Sequence, residues 1–140
     1  NINHVNKIAD KFKGYKNFTI DLSVSYLKSY SKAKLLVTDF SGTAYTFAFS
    51  TLNPIIFYSR NEEKFKKTKY NNLSYFKDRA RVGYISKDVA HLTNLINKSS
   101  LVNKKIRNKI ISLRKKRIKY LDKSLKKTHD EILNILNTKK

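Results

Sequence analysis

Residues 34–58 read KLLVTDFSGTAYTFAFSTLNPIIFY, and this stretch decides the fold. An apolar run over 34–39 is followed by small and aromatic residues over 41–51 and by a second apolar run over 54–58. Short apolar runs bounded by turn residues are typical of strands buried on both faces of a parallel sheet. The order therefore predicts a strand, a helix and a second strand.

The chain before this stretch predicts three more elements. Apolar residues spaced three and four apart indicate a helix over 2–12 that ends before Gly14. Residues 18–21 are rich in strand-forming residues and predict a short strand. Ser23 is placed to cap a second helix whose apolar side begins with Val24.

The chain after this stretch is less regular. Residues 60–81 are polar with scattered aromatics, which predicts a long loop. A strand over 81–85 follows, and Ser86 is predicted to cap a helix over 87–98. Strands alternating with helices predict an α/β fold with a parallel sheet.

The last part of the chain predicts one long, basic helix. No Gly or Pro interrupts residues 101–136, and apolar residues recur every seven positions in a heptad-like seam. The members of this seam are Ile111, Ile118, Leu125 and Ile132. Such a stripe needs a partner surface on its own domain, on a second copy of the chain or on another part of a longer protein. We expect a domain over 1–97 and a basic amphipathic tail over 98–140.

The charge of the chain limits its partners. Among 140 residues, 31 Lys and Arg face 10 Asp and Glu, a net charge of +21, of which residues 61–140 hold +16. This balance favours nucleic acid or an anionic membrane surface, the latter through residues 98–127. The alternative is a solvated helix whose lysines reflect codon bias, since 25 of the 31 cations are Lys and 14 residues are Asn.

Composition also excludes several classes of site. The chain has no Cys, so disulfides, thiolate metal sites and cysteine nucleophiles are excluded. No apolar stretch approaches the roughly 18–20 residues of a membrane-spanning helix. The chain begins with Asn1 and contains no Met, so we expect it to be part of a longer protein.

The turn at residues 38–43 is the most informative candidate site. It joins a buried strand to a helix, so it is expected at the carboxyl edge of the sheet, where open α/β folds bind ligands. Ser41 and Thr43 offer hydroxyls, Gly42 allows close approach to the backbone, and the helix N-terminus attracts anions. These features predict a phosphate or diphosphate site. The alternative is that Asp39 or Ser41 merely caps the helix, and the spacing alone does not decide between the two.

The run YLKSYSKAKLLVTDFSGTAYTFAFSTLNPIIFYS over 26–59 resembles the CDP-glycerol glycerophosphotransferases and related surface-polysaccharide transferases. That family carries a T-D-Y-S-S turn between a strand and a helix, followed by a proline-led strand. Residues 38–42 match the turn, with Phe40 in place of tyrosine and Gly42 in place of the second serine. The family's upstream His-Pro element is not recognisable, since His4 has no proline beside it.

The resemblance implies a Rossmann-like domain, the C-terminal half of a GT-B fold, that binds the donor of a transferase. The donor would be CDP-glycerol or a nucleotide sugar, and the acceptor a polymer or lipid-linked chain of capsule or teichoic-acid type. Ser41, Gly42 and Thr43 would hold the diphosphate, while Thr38 and Asp39 would order the turn. The enzyme would act in the cytoplasm at the inner face of the membrane. We expect this chain to be inactive without its N-terminal domain, because a GT-B site lies between two domains.

The remaining candidates carry less chemistry. Glu62 and Glu63 follow the second strand, where a carboxylate reaches a donor ribose, or else they are loop surface. His91 and His129 lack a second titratable group that would orient them, and we read them as surface residues. We expect no metal and no cofactor beyond the donor nucleotide. The alternative function, from another class, is a non-enzymatic basic module that binds nucleic acid.

Overall fold

The computed structural model describes residues 2–98 and 102–137. The chain divides into two compact units, Asn1–Ala33 and Lys34–Lys140. The first unit contains the helices α1 (Ile2–Phe12) and α2 (Leu27–Lys32). Helix α1 confirms the helix predicted from its apolar spacing.

The connection between α1 and α2 differs from its prediction. Residues 18–21 are irregular chain rather than a strand. The carboxylate of Asp21 accepts hydrogen bonds from the backbone N–H of Ser23 at 2.9 Å and from the hydroxyls of Ser23 and Ser29. These bonds lower the pKa of Asp21 to about 2. Side chains that form local hydrogen bonds of this kind compete with regular secondary structure. In this connection the local bonds outweigh the strand propensity of the sequence.

The predicted Ser23 cap is also wrong. Helix α2 begins at Leu27, and the Ser23 hydroxyl is taken up by Asp21 and by the carbonyl of Ser25. Val24, predicted on the apolar side of the helix, is fully exposed outside it.

The second unit contains the sheet and the remaining helices. Its elements, in chain order, are β1 (Leu36–Thr38), α3 (Thr43–Thr51), β2 (Ile55–Tyr58), α4 (Glu62–Lys66), a 3₁₀ turn (Lys69–Asn72), α5 (Ser74–Lys77), α6 (Arg79–Val82), β3 (Gly83–Ser86), α7 (Val89–Asn97), α8 (Lys104–Arg117) and α9 (Ser124–Asn137). The fold is thus a mixture of helices and strands with a helical C-terminal segment.

The three strands form a parallel sheet in the order β1-β2-β3. Leu36 pairs with Ile55, and Ile55 pairs with Gly83. Gly83 is required there, because a Cβ at this position would meet the carbonyl oxygen of Ile55 at 1.9 Å. The prediction of a parallel sheet is confirmed for these three strands.

Burial separates the central strand from its neighbour. Ile55, Ile56 and Phe57 of β2 are fully buried, as the sequence predicts. Val37 of β1 is 42% exposed, so the prediction that this strand is buried on both faces is wrong. In the described sheet β1 lies at an end of the strand order, where packing covers its side chains less completely.

Helices lie on both faces of β2. Ile56 packs with Leu95 of α7 on one face. Phe57 points to the opposite face, since successive side chains alternate along a strand, and there the guanidinium of Arg79 from α6 lies 5.7 Å from the ring centroid. Packed helices therefore cover both faces of the sheet at β2.

The segment 60–81 is more ordered than predicted. It forms α4, the 3₁₀ turn, α5 and α6 instead of a loop, and α6 includes Arg81 of the predicted strand. Ser86 closes β3, and the cap of α7 is Asp88, whose carboxylate accepts from the backbone N–H of His91 at 2.7 Å. The predicted Ser86 cap is wrong because the strand extends one residue further.

The basic tail forms two helices, so the prediction of one continuous helix is wrong. Between α8 and α9, Tyr120 and Asp122 adopt the left-handed backbone conformation with φ of 61° and 66°, which an α-helix cannot contain. Helix α8 packs against α6 and α3. Its buried side chains are Ile106, Ile110 and Leu113, so the stripe facing the domain differs from the predicted seam.

Candidate functional site

The turn between β1 and α3 forms the candidate site. Thr38 ends β1, and Gly42 occupies the N-cap position of α3. No side-chain hydrogen bond caps α3 at Gly42, and a simple cap by Asp39 or Ser41 stays the alternative interpretation of this turn. The positive end of the α3 dipole opens at this turn, and such an end attracts anions.

The three predicted phosphate-binding residues lie together. The hydroxyl oxygens of Ser41 and Thr43 are 2.8 Å apart. Gly42 and Thr43 are exposed and Ser41 is half-buried. A Cβ added at Gly42 would meet nothing within 4 Å, so the space in front of its backbone is open. The arrangement offers two hydroxyls and open backbone on one helix terminus.

Tyr75 of α5 is hydrogen-bonded to the backbone of this turn. Its hydroxyl donates to the carbonyl oxygens of Phe40 at 2.9 Å and of Ser41 at 2.5 Å. The hydroxyl of Tyr45 in turn donates to the carbonyl oxygen of Tyr75 at 2.5 Å. Sequence reasoning missed this clamp, because 34 residues separate Tyr75 from Ser41 and no local pattern connects them.

The pKa values of Tyr45 and Tyr75 are compatible with their role as hydrogen-bond donors. Burial raises the pKa of Tyr45, and Asp78 and Tyr75 raise it further. Burial also raises the pKa of Tyr75, with Arg79 opposing and Asp39 adding to the shift. Both hydroxyls therefore keep their protons and remain donors at neutral pH.

A buried ion pair supports the other side of the turn. Arg79 is 1% exposed, and its Nη2 lies 2.7 Å from Oε1 of Glu62, which is 2% exposed. Its guanidinium carbon lies 3.6 Å from the ring centroid of Phe76 and 5.1 Å from that of Phe40. This cation–π stack fixes the side chain that precedes Ser41.

The two predicted ribose contacts have different surroundings. Glu62 belongs to the core through Arg79. Glu63 is exposed and binds Lys87 at 2.8 Å and Lys66 at 3.2 Å. These hydrogen bonds lower the pKa of Glu63, and the bond from Lys87 has the largest effect. A contact of either carboxylate with ribose stays a prediction.

The histidines lie on the surface. His4 and His91 are exposed, and Nδ1 of His129 lies 3.7 Å from the carboxylate of Asp130 with both side chains about half exposed or more. Across residues 2–98 and 102–137, no three His, Asp or Glu side chains cluster closely enough to hold a metal ion. Within the same residues, no helix is long and apolar enough to cross a membrane.

The three-stranded parallel sheet, the helices packed on it and the turn with two hydroxyls at the start of α3 define a mixed helix-and-strand fold with a candidate site at the end of β1. The family model of CDP-glycerol:poly(glycerophosphate) glycerophosphotransferase matches residues 3–134, and the chain belongs to this family. The suspected family is thereby confirmed, and with it a transferase of glycerophosphotransferase type. The family implies a nucleotide-diphosphate-glycerol donor and a polymer acceptor. Neither a curated protein nor a solved structure is significantly similar to the chain.

Proposed function

We propose that this chain binds the donor nucleotide of a transferase that builds a surface polymer of teichoic-acid or capsule type. Ser41, Gly42 and Thr43 hold the donor diphosphate at the N-terminus of α3. The observation that carries the proposal is the pair of hydroxyls 2.8 Å apart beside an open glycine at the carboxyl edge of the sheet. Hydroxyls and helix-terminal amides are the groups that bind phosphate in α/β domains.

The architecture proposed for the whole enzyme is a GT-B fold. In it the Rossmann-like domain formed by this chain faces a second domain across the reaction cleft. The parallel order of β1, β2 and β3 is compatible with this assignment. The transferred group is a glycerol phosphate or a sugar, and the attacking hydroxyl comes from the growing polymer.

Calorimetric titration with CDP-glycerol, CDP and UDP tests the diphosphate site. We expect the double variant Ser41→Ala/Thr43→Ala to bind the preferred nucleotide about a hundredfold more weakly or worse, since hydrogen bonds to charged groups contribute about 1.5–3 kcal/mol each. The matched control is Thr46→Ala/Ser50→Ala, which removes two exposed hydroxyls from the same helix. Absence of binding to all three nucleotides by the unaltered chain contradicts the proposal.

Gly42→Val offers a second test at the same site. A side chain can be added at Gly42, because no atom lies within 4 Å of a Cβ there and the backbone is already right-handed helical. The variant should fold, yet its side chain occupies the space assigned to the diphosphate. Nucleotide affinity that is unchanged in folded Gly42→Val would place the diphosphate elsewhere.

We also propose that the basic helix α8 lies near an anionic membrane surface and that the enzyme acts at the inner face of that membrane. The exposed lysines on α8 are Lys104, Lys105, Lys109, Lys115 and Lys116. Each Lys or Arg near an anionic leaflet contributes about 1 kcal/mol. Sedimentation with phosphatidylglycerol vesicles, but not with phosphatidylcholine vesicles, is expected, with release by salt. Salt-sensitive binding to RNA instead would favour the non-enzymatic alternative.

A further inference from the structure

Tyr75 binds two consecutive carbonyl groups in the turn that precedes α3. Its hydroxyl donates to the carbonyl oxygen of Phe40 at 2.9 Å and to that of Ser41 at 2.5 Å, so the two carbonyls share one proton. The Ser41 carbonyl also accepts from the backbone N–H of Ala44 at 3.2 Å. Among the described residues, no second hydrogen bond reaches the Phe40 carbonyl. The orientation of the peptide unit between Phe40 and Ser41 therefore depends on Tyr75.

The two held carbonyls determine where the backbone N–H groups of the turn point. The described part of the chain contains no cis peptide bond, and in a planar trans peptide the N–H group points away from the C=O group of the same unit. Because Tyr75 keeps the carbonyls of Phe40 and Ser41 on one side, the N–H groups of Ser41 and Gly42 point to the opposite side. Within residues 2–98 and 102–137 neither N–H has a hydrogen-bond partner.

This orientation produces a surface that suits an anion. Successive backbone N–H groups on one side of a turn form an anion-binding concavity. Here they accompany the hydroxyls of Ser41 and Thr43, which lie 2.8 Å apart, and the open space in front of Gly42. Donors that are already aligned bind a ligand without first having to be ordered. The bonds from Tyr75 supply this alignment from outside the turn.

We infer that Tyr75 is a positioning residue for the donor diphosphate and that it turns the N–H groups of Ser41 and Gly42 toward the phosphates. This inference rests on the proposed diphosphate site, and it adds to that site two backbone donors and the side chain that aligns them. Tyr75 acts through the backbone and does not contact the phosphates. Helix α5, which carries Tyr75, thereby contributes to binding from the segment 60–81.

Tyr75→Phe tests this role because it removes the hydroxyl and keeps the ring. The ring centroid of Tyr75 lies 4.8 Å from that of Tyr45. The ring also lines a largely apolar pocket of about 390 Å³, which is formed by Phe40, Phe65, Tyr70, Leu73, Tyr75 and Phe76. A phenylalanine retains these ring contacts, so the variant should fold, and urea denaturation verifies that it does.

Calorimetric titration with inorganic pyrophosphate and with CDP measures the effect. We expect Tyr75→Phe to bind both about fivefold more weakly, as the loss of one hydrogen bond predicts. The matched control is Thr51→Val at the other end of α3, which removes a hydroxyl that donates to the carbonyl of Phe47 at 2.8 Å. Both variants should lose stability, but only Tyr75→Phe should lose affinity. Equal losses of affinity would show general loosening of α3 and overturn the inference.

Backbone amide NMR gives a measurement that a purely structural role would not change. In the unaltered chain, pyrophosphate should shift the amide protons of Ser41 and Gly42 downfield, because both donate to the ligand. In Tyr75→Phe the shift at Ser41 should be lost, whereas the shift at Gly42 should be partly retained, since Ala44 still bonds the Ser41 carbonyl. Pyrophosphate binding to the unaltered chain without a shift at either amide would contradict the proposed orientation.

The same titrations separate this inference from the proposed function. If Ser41→Ala/Thr43→Ala weakens CDP binding while Tyr75→Phe binds CDP and pyrophosphate normally, the diphosphate site stands and the role of Tyr75 is wrong. If the unaltered chain binds neither CDP nor pyrophosphate, the diphosphate site fails and the inference fails with it.

Discussion

Helices α8 and α9 have the same length, 14 residues, but differ in how they are held. Helix α8 buries Ile106, Ile110 and Leu113 against the domain, whereas α9 buries none of its side chains. Leu125 of α9 is 86% exposed. The sequence predicts one amphipathic helix across both, so an apolar stripe alone does not determine whether a helix joins a core.

Helix α8 also makes polar bonds that stabilise its position in its unit. Arg114 donates to the carbonyl oxygen of Phe49 at 2.8 Å, and Arg117 donates to the carboxylate of Asp78 at 2.7 Å. Asn103 caps the N-terminus by accepting from the backbone N–H of Ile106 at 3.0 Å. The bonds of Arg114 and Arg117 reach other elements and favour the orientation in which the apolar face of α8 is buried, whereas the Asn103 cap stabilises the helix itself.

The largest expected effect is the loss of a buried side chain from α8. Leu113→Ala should lower the free energy of unfolding by about 2–5 kcal/mol, because it leaves a cavity at a fully buried position. Leu133→Ala on α9 is the matched control at a 45% exposed position, with an expected change within about 0.5 kcal/mol. Urea denaturation measures both. Equal losses in the two variants would show that α9 is as firmly packed as α8.

The next largest loss of stability is expected when an anchoring bond of α8 is removed. Arg117→Ala should cost about 1–2 kcal/mol, since the carboxylate of Asp78, only 8% exposed, loses a charge-assisted partner. The remaining partner, Arg81, lies 3.5 Å away. Lys126→Ala removes an exposed cation from α9 and should leave the denaturation midpoint unchanged. A larger effect from Lys126→Ala than from Arg117→Ala would contradict the anchoring role of Arg117.

The comparison also shows which features sequence reasoning reaches. The order β1, α3, β2 follows from the apolar runs in 34–58, and the same stretch brings Ser41, Gly42 and Thr43 together. Both results depend on local pattern, because neighbouring residues share one strand, turn or helix. The position of the turn that contains these residues could therefore be predicted, while their role in binding stays a prediction.

The features that were missed depend on contacts between distant residues or on backbone conformations without a local signal. The bond from Tyr75 to Ser41 and the pair Arg79–Glu62 each join separate elements. The break between α8 and α9 occurs at Tyr120 and Asp122, where no Gly or Pro marks a left-handed conformation. From the sequence, the aromatic residues in the lysine-rich segment 60–81 look like part of a surface loop. Only their tertiary contacts show that they line a pocket.

A smaller effect distinguishes the cap of α8 from its interior. Asn103→Ala should lower the free energy of unfolding by about 1 kcal/mol through loss of the N-cap bond. Asn108→Ala, at an exposed interior position of the same helix, should raise it by about 0.5 kcal/mol, because Ala has the higher helix propensity. Opposite signs for the same substitution test the cap directly. A stabilising Asn103→Ala would remove this bond from the explanation of why α8 is held.

The smallest expected effect appears only in alkaline solution and concerns Tyr45, which lies on α3, one of the helices that α8 packs against. Burial raises the pKa of Tyr45 above its ordinary value of 10.0. In the unfolded chain the phenol loses its proton near that value, whereas in the folded chain it keeps it. The stabilisation is therefore complete below pH 10.0 and declines as the pH rises beyond it.

Urea denaturation at neutral pH and above pH 10.0 measures this decline, with Tyr45→Phe as the comparison. The variant cannot ionise at this position, so its loss of stability with rising pH should be smaller than that of the unaltered chain. Because the charge of Arg117 on α8 opposes the shift at Tyr45, Arg117→Ala should also raise the pH at which Tyr45 ionises, which ties the phenol to the docked helix. An unchanged ionisation in Arg117→Ala would separate Tyr45 from α8, and the contrast with α9 would then rest on the buried side chains of α8 and on the bonds of Arg114 and Arg117.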